Sequence, residues 1–504
     1  MIPALKIEDL RIIGYNLGKI CYLVGGMILL PVVVALLYYE FDTIPYFLTG
    51  AAVAFILGSF LSHFLRTKSD MELKHAVTMA AIAWLLAPLL ASIPIWLSNA
   101  TASLLDASFE SISGFTGTGL TLALDIDHLP RSINFLRHFL QFTGDGIGII
   151  VVYLSILGRT QISSVLAYKG EAKEVGIRPS IVRTSRVIVG IAITFLIIGT
   201  ILFAAAGVEE GLDLGTSIYD GLNHAMTGYA TGGFSTRSQN LLFYHSSWIE
   251  IAAIVTMITG VLNFNLHYVV LGGKKREILK NIEVRLLFLF ILVIGLIVSA
   301  NLLFSNLYLT GESLFRKSIF HVISAQTTTG FQTIPPTHFM FFWPVLSMVL
   351  ISIAMIIGGS ANSTSGGIKI LRIGILLKSI VREVRQALLP KSAFVRETFH
   401  NIDDTPLTDT VVKGAAVITI SYLLLFSIGT LVTVAYGYGM EDSMFETSSA
   451  LGNVGLSSGI TSPSMPDLLK VTYMFLMWAG KIEIIAVLVL IGFIILGIRR
   501  GFER

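Results

Sequence analysis

FHVISAQTTTGFQT, residues 320–333, is a short amphipathic run that closes on three threonines, a glycine and a phenylalanine. It returns three more times in altered form. With the glycines in register, FESISGFTGTGLT aligns on Gly119, NHAMTGYATGGFS on Gly233 and FETSSALGNVGLS on Gly455, beside Gly330 of the quoted run. Ten positions before the glycine stands Phe109, Phe320 or Phe445, with Asn223 in the second copy. Nine before it the residue is Glu110, His224, His321 or Glu446, and six before it is always a hydroxyl residue: Ser113, Thr227, Ser324 and Ser449. Four copies, separated by 114, 97 and 125 residues, imply a chain with a fourfold internal plan.

The 504 residues are 54% hydrophobic and 13% charged, whereas a soluble globular chain carries about 25% charged residues. Apolar runs of roughly 20 residues, long enough to span a bilayer, recur from end to end, so the chain reads as an integral membrane protein without a large soluble domain. The charged start (Lys6, Glu8, Asp9, Arg11) leads into a full-length span rather than a cleavable signal peptide. One cysteine, Cys21, excludes an internal disulfide or a cysteine metal cage. A net charge of +3 is too small to suggest nucleic acid.

The pattern predicts an all-α membrane fold of ten transmembrane helices. Two N-terminal spans, about residues 15–39 and 45–65, form an extension over 1–68. Four pseudo-repeats follow, over 69–160, 161–273, 274–400 and 401–504, each a long outer helix, a re-entrant pore helix and a long inner helix. The expected elements are 72–97, 104–120 and 133–157; then 181–206, 216–234 and 248–271; then 284–309, 313–331 and an interrupted 341–377; then 410–436, 442–456 and 468–496. Residues 1–19, 66–74, 159–186, 274–285, 369–413 and 499–504 hold 28 of the 35 lysines and arginines, which places those loops in the cytoplasm. The opposite side and the pore helices carry acids: Asp106, Glu110, Asp125, Asp127, Glu209, Glu210, Asp213, Asp220, Glu441, Asp442 and Glu446. An acidic mouth would concentrate cations; ordinary solvated loop charge is the alternative.

A segment that enters and leaves the bilayer on one side is tolerated where protein buries it or where it lines a water-filled cavity. Four of them around one axis make a pore lining whose inward carbonyls can replace the hydration shell of an alkali cation. Glycine suits the turn because it adopts positive φ without steric cost. The C-terminal end of each short helix, partially negative, would face the axis and favour a cation. Hydroxyls just before the glycine (Thr116 and Thr118, Thr231, Thr327 to Thr329) can brace the backbone from behind or add oxygen ligands. The fourth copy has Gly452, Asn453 and Val454 there, so the ring is asymmetric. Close helix packing accounts well for a lone membrane glycine and poorly for four aligned ones.

These residues resemble the Trk/Ktr/HKT superfamily of potassium transporters, over nearly the whole chain. NFNLHY (263–268), GGSANSTSGGIKILRI (358–373) and AGKIEI (479–484) are similar to its motifs in the second, third and fourth inner helices. The two extra N-terminal spans resemble the Trk branch. The resemblance implies a potassium selectivity filter at Thr116, Thr118, Gly119, Thr231, Gly232, Gly233, Thr328, Thr329, Gly330, Asn453, Val454 and Gly455, with potassium preferred over sodium. It also implies a gate formed by the loop with Gly358, Gly359, Gly366 and Gly367, and by Lys481, where the family usually has arginine. A static break filled by neighbouring helices is the alternative for that loop. Lys369 and Arg372 are expected to anchor the helix beyond it at the cytoplasmic face. Asp145, where the family tends to have small residues, is a candidate partner for Lys481 across the pore wall, because the first and fourth units would be neighbours. Glu483 is expected on another helix face, in a structural role. His224 and His321 are either pH sensors or hydrogen-bonded pore-helix residues.

By the same resemblance the chain is a homodimer in the plasma (inner) membrane, regulated by a cytoplasmic ring of nucleotide-binding RCK domains; the basic segments 159–186 and 372–413 are the surfaces offered to it, and positive-inside charge alone is the alternative account of them. Transport is either channel-like or symport with protons or sodium. Potassium is cargo, and the residues imply no organic cofactor. A sodium-coupled solute symporter is the rival reading, although its repeats would be inverted and these run in one direction. No nucleophile, His/acid pair or metal cluster at helical spacing points to an enzyme.

Overall fold

Apolar backbone in lipid must satisfy its own hydrogen bonds, so spanning segments fold as helices. In the computed structural model, which describes residues 5–147, 181–308, 310–390, 396–500 and 502–503, six helices are long and apolar enough to cross a membrane: Ile7–Leu37, Phe41–Phe64, Leu73–Leu97, Arg186–Glu209, Ile282–Phe304 and Asp409–Ala435. The number rises to eight if two bent pairs each count as one span. The chain is a multi-pass membrane protein. The expected first inner helix beyond residue 147 and the basic segment 159–180 lie outside the described residues. Four short helices stand between the longer ones, at Leu104–Phe115, Leu214–Tyr229, Gly311–Gln326 and Met440–Gly452.

Two expected helices are bent, and the expected interruption over 341–377 is joined by a second break. Ser247–Val261 and Phe264–Leu271 meet at 100°. Asn263 caps the second piece by accepting from Asn265 N at 2.8 Å, and Phe264 N donates to Asn362 O at 2.9 Å. Residues 341–377 divide at Pro344, which lacks a donor and disfavours helix in the residue before it. Pro336–Phe342 is therefore a separate helix, Val345–Ile357 the next, and Ile370–Leu388 resumes after the glycine-rich loop. The single helix expected over 468–496 is instead Asp467–Lys481 and Ile485–Arg500, bent by 110°. Glu483 and Ile484 are left-handed at the bend (φ 58° and 62°), held by Ile484 N to Ala479 O at 3.0 Å and by an ion pair from Glu483 to Arg372. Lys481 thus ends a helix rather than lying halfway along one. Two short strand pairs also depart from the all-helical expectation: a hairpin of Thr398–Asn401 with Asp403–Pro406, and a parallel pairing of Leu5–Lys6 with Phe502–Glu503.

The seven basic residues outside the basic loops, of which Arg137 and Lys470 are buried and the others half-buried, each have a polar or aromatic partner, as a charge at membrane depth demands. Arg137 pairs with Glu110 at 2.6 Å, Arg237 with Asp220 at 3.2 Å, Arg316 with Glu250 at 2.9 Å and Lys470 with Asp106 at 2.6 Å. Lys481 pairs with Asp145, Lys317 donates to Thr333 O, and Arg131 lies over the rings of Tyr38 and Tyr219.

Candidate ion-conducting site

The first three short helices start at Ser103, Asp213 and Thr310, whose side chains accept from Asp106 N, Thr216 N and Ser313 N, the usual N-cap arrangement. At the other end of all four helices the chain turns the same way. Residues 117, 231, 328 and 453 are left-handed (φ 67°, 50°, 55° and 53°), and so are Gly119, Gly233, Gly330 and Gly455 (φ 83°, 73°, 87° and 98°). The residue between them donates its N–H back into its own helix. Thr118 and Gly232 reach Ser113 O and Thr227 O at 2.8 Å; Thr329 and Val454 reach Ser324 O and Ser449 O at 2.9 Å. In a trans peptide the carbonyl opposes the N–H, so the carbonyls of residues 117, 231, 328 and 453 point away from their helices.

The four turns close on one another. A Cβ on Gly119 would strike the carbonyl oxygen of Gly232; on Gly233, that of Thr329; on Gly330, that of Val454; and on Gly455, that of Thr118. Each segment abuts the next, and the fourth returns to the first. Glycine is required here twice over, by positive φ and by backbone at van der Waals distance.

The aligned residues outside the glycine also have physical roles. The residue nine positions earlier clasps the chain returning from the turn. Glu110 accepts from Leu122 N at 2.8 Å and Glu446 from Ser458 N at 2.8 Å; His224 bonds Ser235 Oγ at 2.9 Å, and His321 Nε2 accepts from Thr333 N at 3.3 Å. The second nitrogen of each histidine meets a carbonyl of its own helix, Asp220 O and Lys317 O, so both rings are hydrogen-bonded at both nitrogens. Among the six-before hydroxyls, Thr227 donates to Phe234 O, Ser324 donates to Phe331 O and Ser449 accepts from Gly455 N. The Thr116 and Thr327 hydroxyls bond Ile112 O and Ile323 O at 2.8 Å, bracing the turn from behind. The acidic mouth needs correction: Asp106, Glu110, Asp220, Asp442 and Glu446 are buried, whereas Asp125, Asp127, Glu209, Glu210, Asp213 and Glu441 are exposed.

At one end of the ring a cavity of about 400 Å³ is lined by Gly119, Thr121, Asn240, Gln332, Gly455 and Ser457, among others. Residues 358–369 lie against the other end. Thr231 Oγ1 donates to Thr364 Oγ1 at 3.1 Å, Gly366 N donates to Thr328 Oγ1 at 2.8 Å, and a Cβ on Gly366 would strike Gly452 O. Lys481 Nζ donates to Asp145 Oδ1 and, at 3.2 Å, to Thr364 O. Asp145 itself lies against Gly117, where a Cβ would meet its second carboxylate oxygen. Gly358 and Gly367 (φ 70° and 77°) cross at the neck of the loop, 2.9 Å between the Cβ that Gly358 lacks and Gly367 Cα. Lys369 is buried and donates to Ser365 O, so it folds onto the loop and does not anchor at the surface. Arg372 pairs with Glu483, drawing that residue into the same cluster. Thr364 and Glu283, which accepts from Ala361 N at 2.6 Å, are contacts the sequence did not single out; their partners are distant in the chain.

A family model described as TrkH, cation transport protein, matches residues 43–495. An uncharacterized cation transporter of Methanocaldococcus jannaschii is 34% identical over 484 residues, 96% of this chain and 95% of that protein. The Trk system potassium uptake protein TrkH of Halomonas elongata is 29% identical over 432 residues, covering 84% of this chain and 86% of its own. The crystal structure of the potassium transporter TrkH from Vibrio parahaemolyticus is similar with a TM-score of 0.81 at 26% identity, over 95% of this chain and 98% of that one.

Proposed function

The chain belongs to the TrkH family of cation transport proteins, and on that premise we propose that it takes up potassium ions across the plasma membrane through the ring of four glycine segments. The observation that carries this reading is the closure of that ring, in which Gly119, Gly233, Gly330 and Gly455 each abut the backbone of the next segment. Four sets of carbonyls turned from their helices supply a dehydrated monovalent cation with oxygen ligands and no fixed charge. The filter comprises the carbonyls of Thr118, Gly232, Thr329 and Val454 beside the four glycines, and those of Gly117, Thr231, Thr328 and Asn453 one step along. Thr116 braces this backbone from behind.

The remaining features fit the same scheme. Ten spans divide into the N-terminal pair, 1–68, and four units over 69–160, 161–273, 274–400 and 401–504. The loop bearing Gly358, Gly359, Gly366 and Gly367 is the gate, closed where Thr364 and Gly366 bond the filter threonines, with the Asp145–Lys481 pair holding its flank. Small residues commit little packing to either arrangement of such a segment. The basic side faces the cytoplasm. There an RCK-type nucleotide-binding subunit engages the chain, and the working unit is a homodimer; the relatives' names, which place them in a Trk system, support the partner. The test is rescue of a potassium-uptake-deficient bacterial strain at low external potassium, alone and with the cognate regulatory subunit. Growth with rubidium uptake supports the reading. Absence of both in well-expressing cells with the subunit present overturns it.

A further inference from the structure

Side-chain carboxamides bridge three of the four boundaries between neighbouring glycine segments, and a fourth ties the second segment to the helix that follows the first. From the helix after the first segment, buried Gln141 donates to Gly232 O of the second at 2.6 Å, and its Oε1 accepts from Phe234 N at 3.3 Å. Between second and third, Asn240 donates to Gly233 O at 3.0 Å and accepts from Gln332 N at 3.1 Å. Between third and fourth, Gln332 Nε2 donates to Gly455 O at 3.4 Å. From fourth to first, Asn453 Nδ2 donates to Thr118 Oγ1 at 3.0 Å and to Met477 O at 2.8 Å.

We propose that Gln141, Asn240, Gln332 and Asn453 are positioning residues that lace the ring at a fixed diameter and thereby set its preference for potassium over the smaller sodium ion. The inference rests on the potassium reading above and deepens it. A carbonyl oxygen has two lone pairs, so Gly232 can accept an amide N–H and still face a cation, while the bonds to Gly233 O and Gly455 O hold the peptides directly after the filter carbonyls of Gly232 and Val454. Once pinned, such a carbonyl resists swinging inward to the shorter distance a smaller ion needs, which is the geometric route to selectivity. The primary amide suits the task because it donates and accepts from one uncharged group. An ammonium in the same place would compete with the cation, and a carboxylate would repel the carbonyl it should hold. The four amides occupy unrelated positions relative to the glycines: one on a following helix, one opening a short 3-10 helix, one two residues after the glycine and one two residues before it. The lacing is therefore not a by-product of the repeat.

The test is the ratio of potassium to sodium flux through the full chain in liposomes, for wild type, Gln141→Met, Gln332→Met and a control, Gln239→Met, at an exposed residue of the outer cavity. Methionine keeps the length and removes both hydrogen-bonding functions. Gln141→Met should lower the ratio about tenfold, equivalent to ~1.4 kcal/mol of differential binding. Gln332→Met, whose bond is longer, should lower it less, and Gln239→Met should leave it unchanged. A merely structural role would reduce protein yield and total flux at an unchanged ratio, and that result overturns the inference. Should Gln141→Met fail to reach the membrane, the ratio for Gln332→Met decides. A wild type that carries no potassium overturns the functional reading and this inference together, whereas a selective wild type with equally selective variants overturns this inference alone.

Discussion

Gly233→Ala is the sharpest perturbation of the ring. The glycine has φ 73°, and an added Cβ would strike the carbonyl oxygen of Thr329 and lie 2.9 Å from the carbonyl carbon of Gly330. A left-handed conformation costs a residue with a Cβ about 1–2 kcal/mol, and forcing a methyl into a packed site costs about 1–3 kcal/mol. The combined penalty of about 2–5 kcal/mol falls on the backbone that would ligate the ion. Since ~1.4 kcal/mol is a factor of ten, the variant should lose more than an order of magnitude in potassium over sodium flux, and its thermal midpoint in detergent should drop. Gly26→Ala is the control, because nothing lies near its missing Cβ. In mid-helix that change should stabilise by about 0.5–1 kcal/mol. The reasoning is refuted if Gly233→Ala keeps the wild-type midpoint and ion preference.

Three further outcomes follow from the contacts around the ring. Asp145→Asn leaves the Lys481 ammonium buried without its counter-ion, a loss of about 3–5 kcal/mol for a buried pair. The double variant Asp145→Asn/Lys481→Met should recover much of the thermal midpoint, and additive losses would contradict the pairing. Thr328→Val removes the acceptor for Gly366 N, an unsatisfied buried donor costing about 1–3 kcal/mol; basal flux without the regulatory subunit should rise, and an unchanged flux would show that this bond does not hold the gate. On the basic side, His400 lies between Glu277 Oε2 at 2.9 Å and Asp404 Oδ1 at 2.8 Å. Both oxygens only accept, so both ring nitrogens must carry protons, and the bonds to Glu277 first and Asp404 second raise its pKa above the usual 6.5. The stabilisation is complete below about 6.5 and is lost as pH rises through the raised value. Hydrogen exchange over the hairpin Thr398–Pro406 should therefore accelerate from pH 6 to 9 beyond its intrinsic pH dependence, and His400→Gln should abolish the excess; equal excess in both proteins would rule the histidine out.

How much of this was legible in the sequence depended on the range of the interaction. The glycine register and the starts of the short helices are local features: the first was expected over 104–120 and is helical over Leu104–Phe115, with the rest of that stretch forming the turn. The hydroxyl at the sixth position before the glycine was visible as a pattern. Its reason was not, since it lies in bonds that the hydroxyls of Thr227, Ser324 and Ser449 make to backbone beyond the turn. Glu110 and Glu446 looked like mouth charges because acids in a short polar stretch usually face water. Their burial follows from bonds to residues 12 positions onward. The bend after Lys481 has no proline to announce it and depends on Arg372, 111 residues away. The carboxamide lacing was illegible for the same reason, with partners 91 to 335 residues apart where Gln141, Gln332 and Asn453 cross between segments.

The most direct measurement is anomalous scattering from crystals of the full chain grown in rubidium, a heavier stand-in for potassium. The account predicts rubidium density on the axis enclosed by Gly119, Gly233, Gly330 and Gly455, within ligand distance of the carbonyls of Thr118, Gly232, Thr329 and Val454. An axis empty of rubidium, with the ion bound elsewhere in the same crystals, would contradict it.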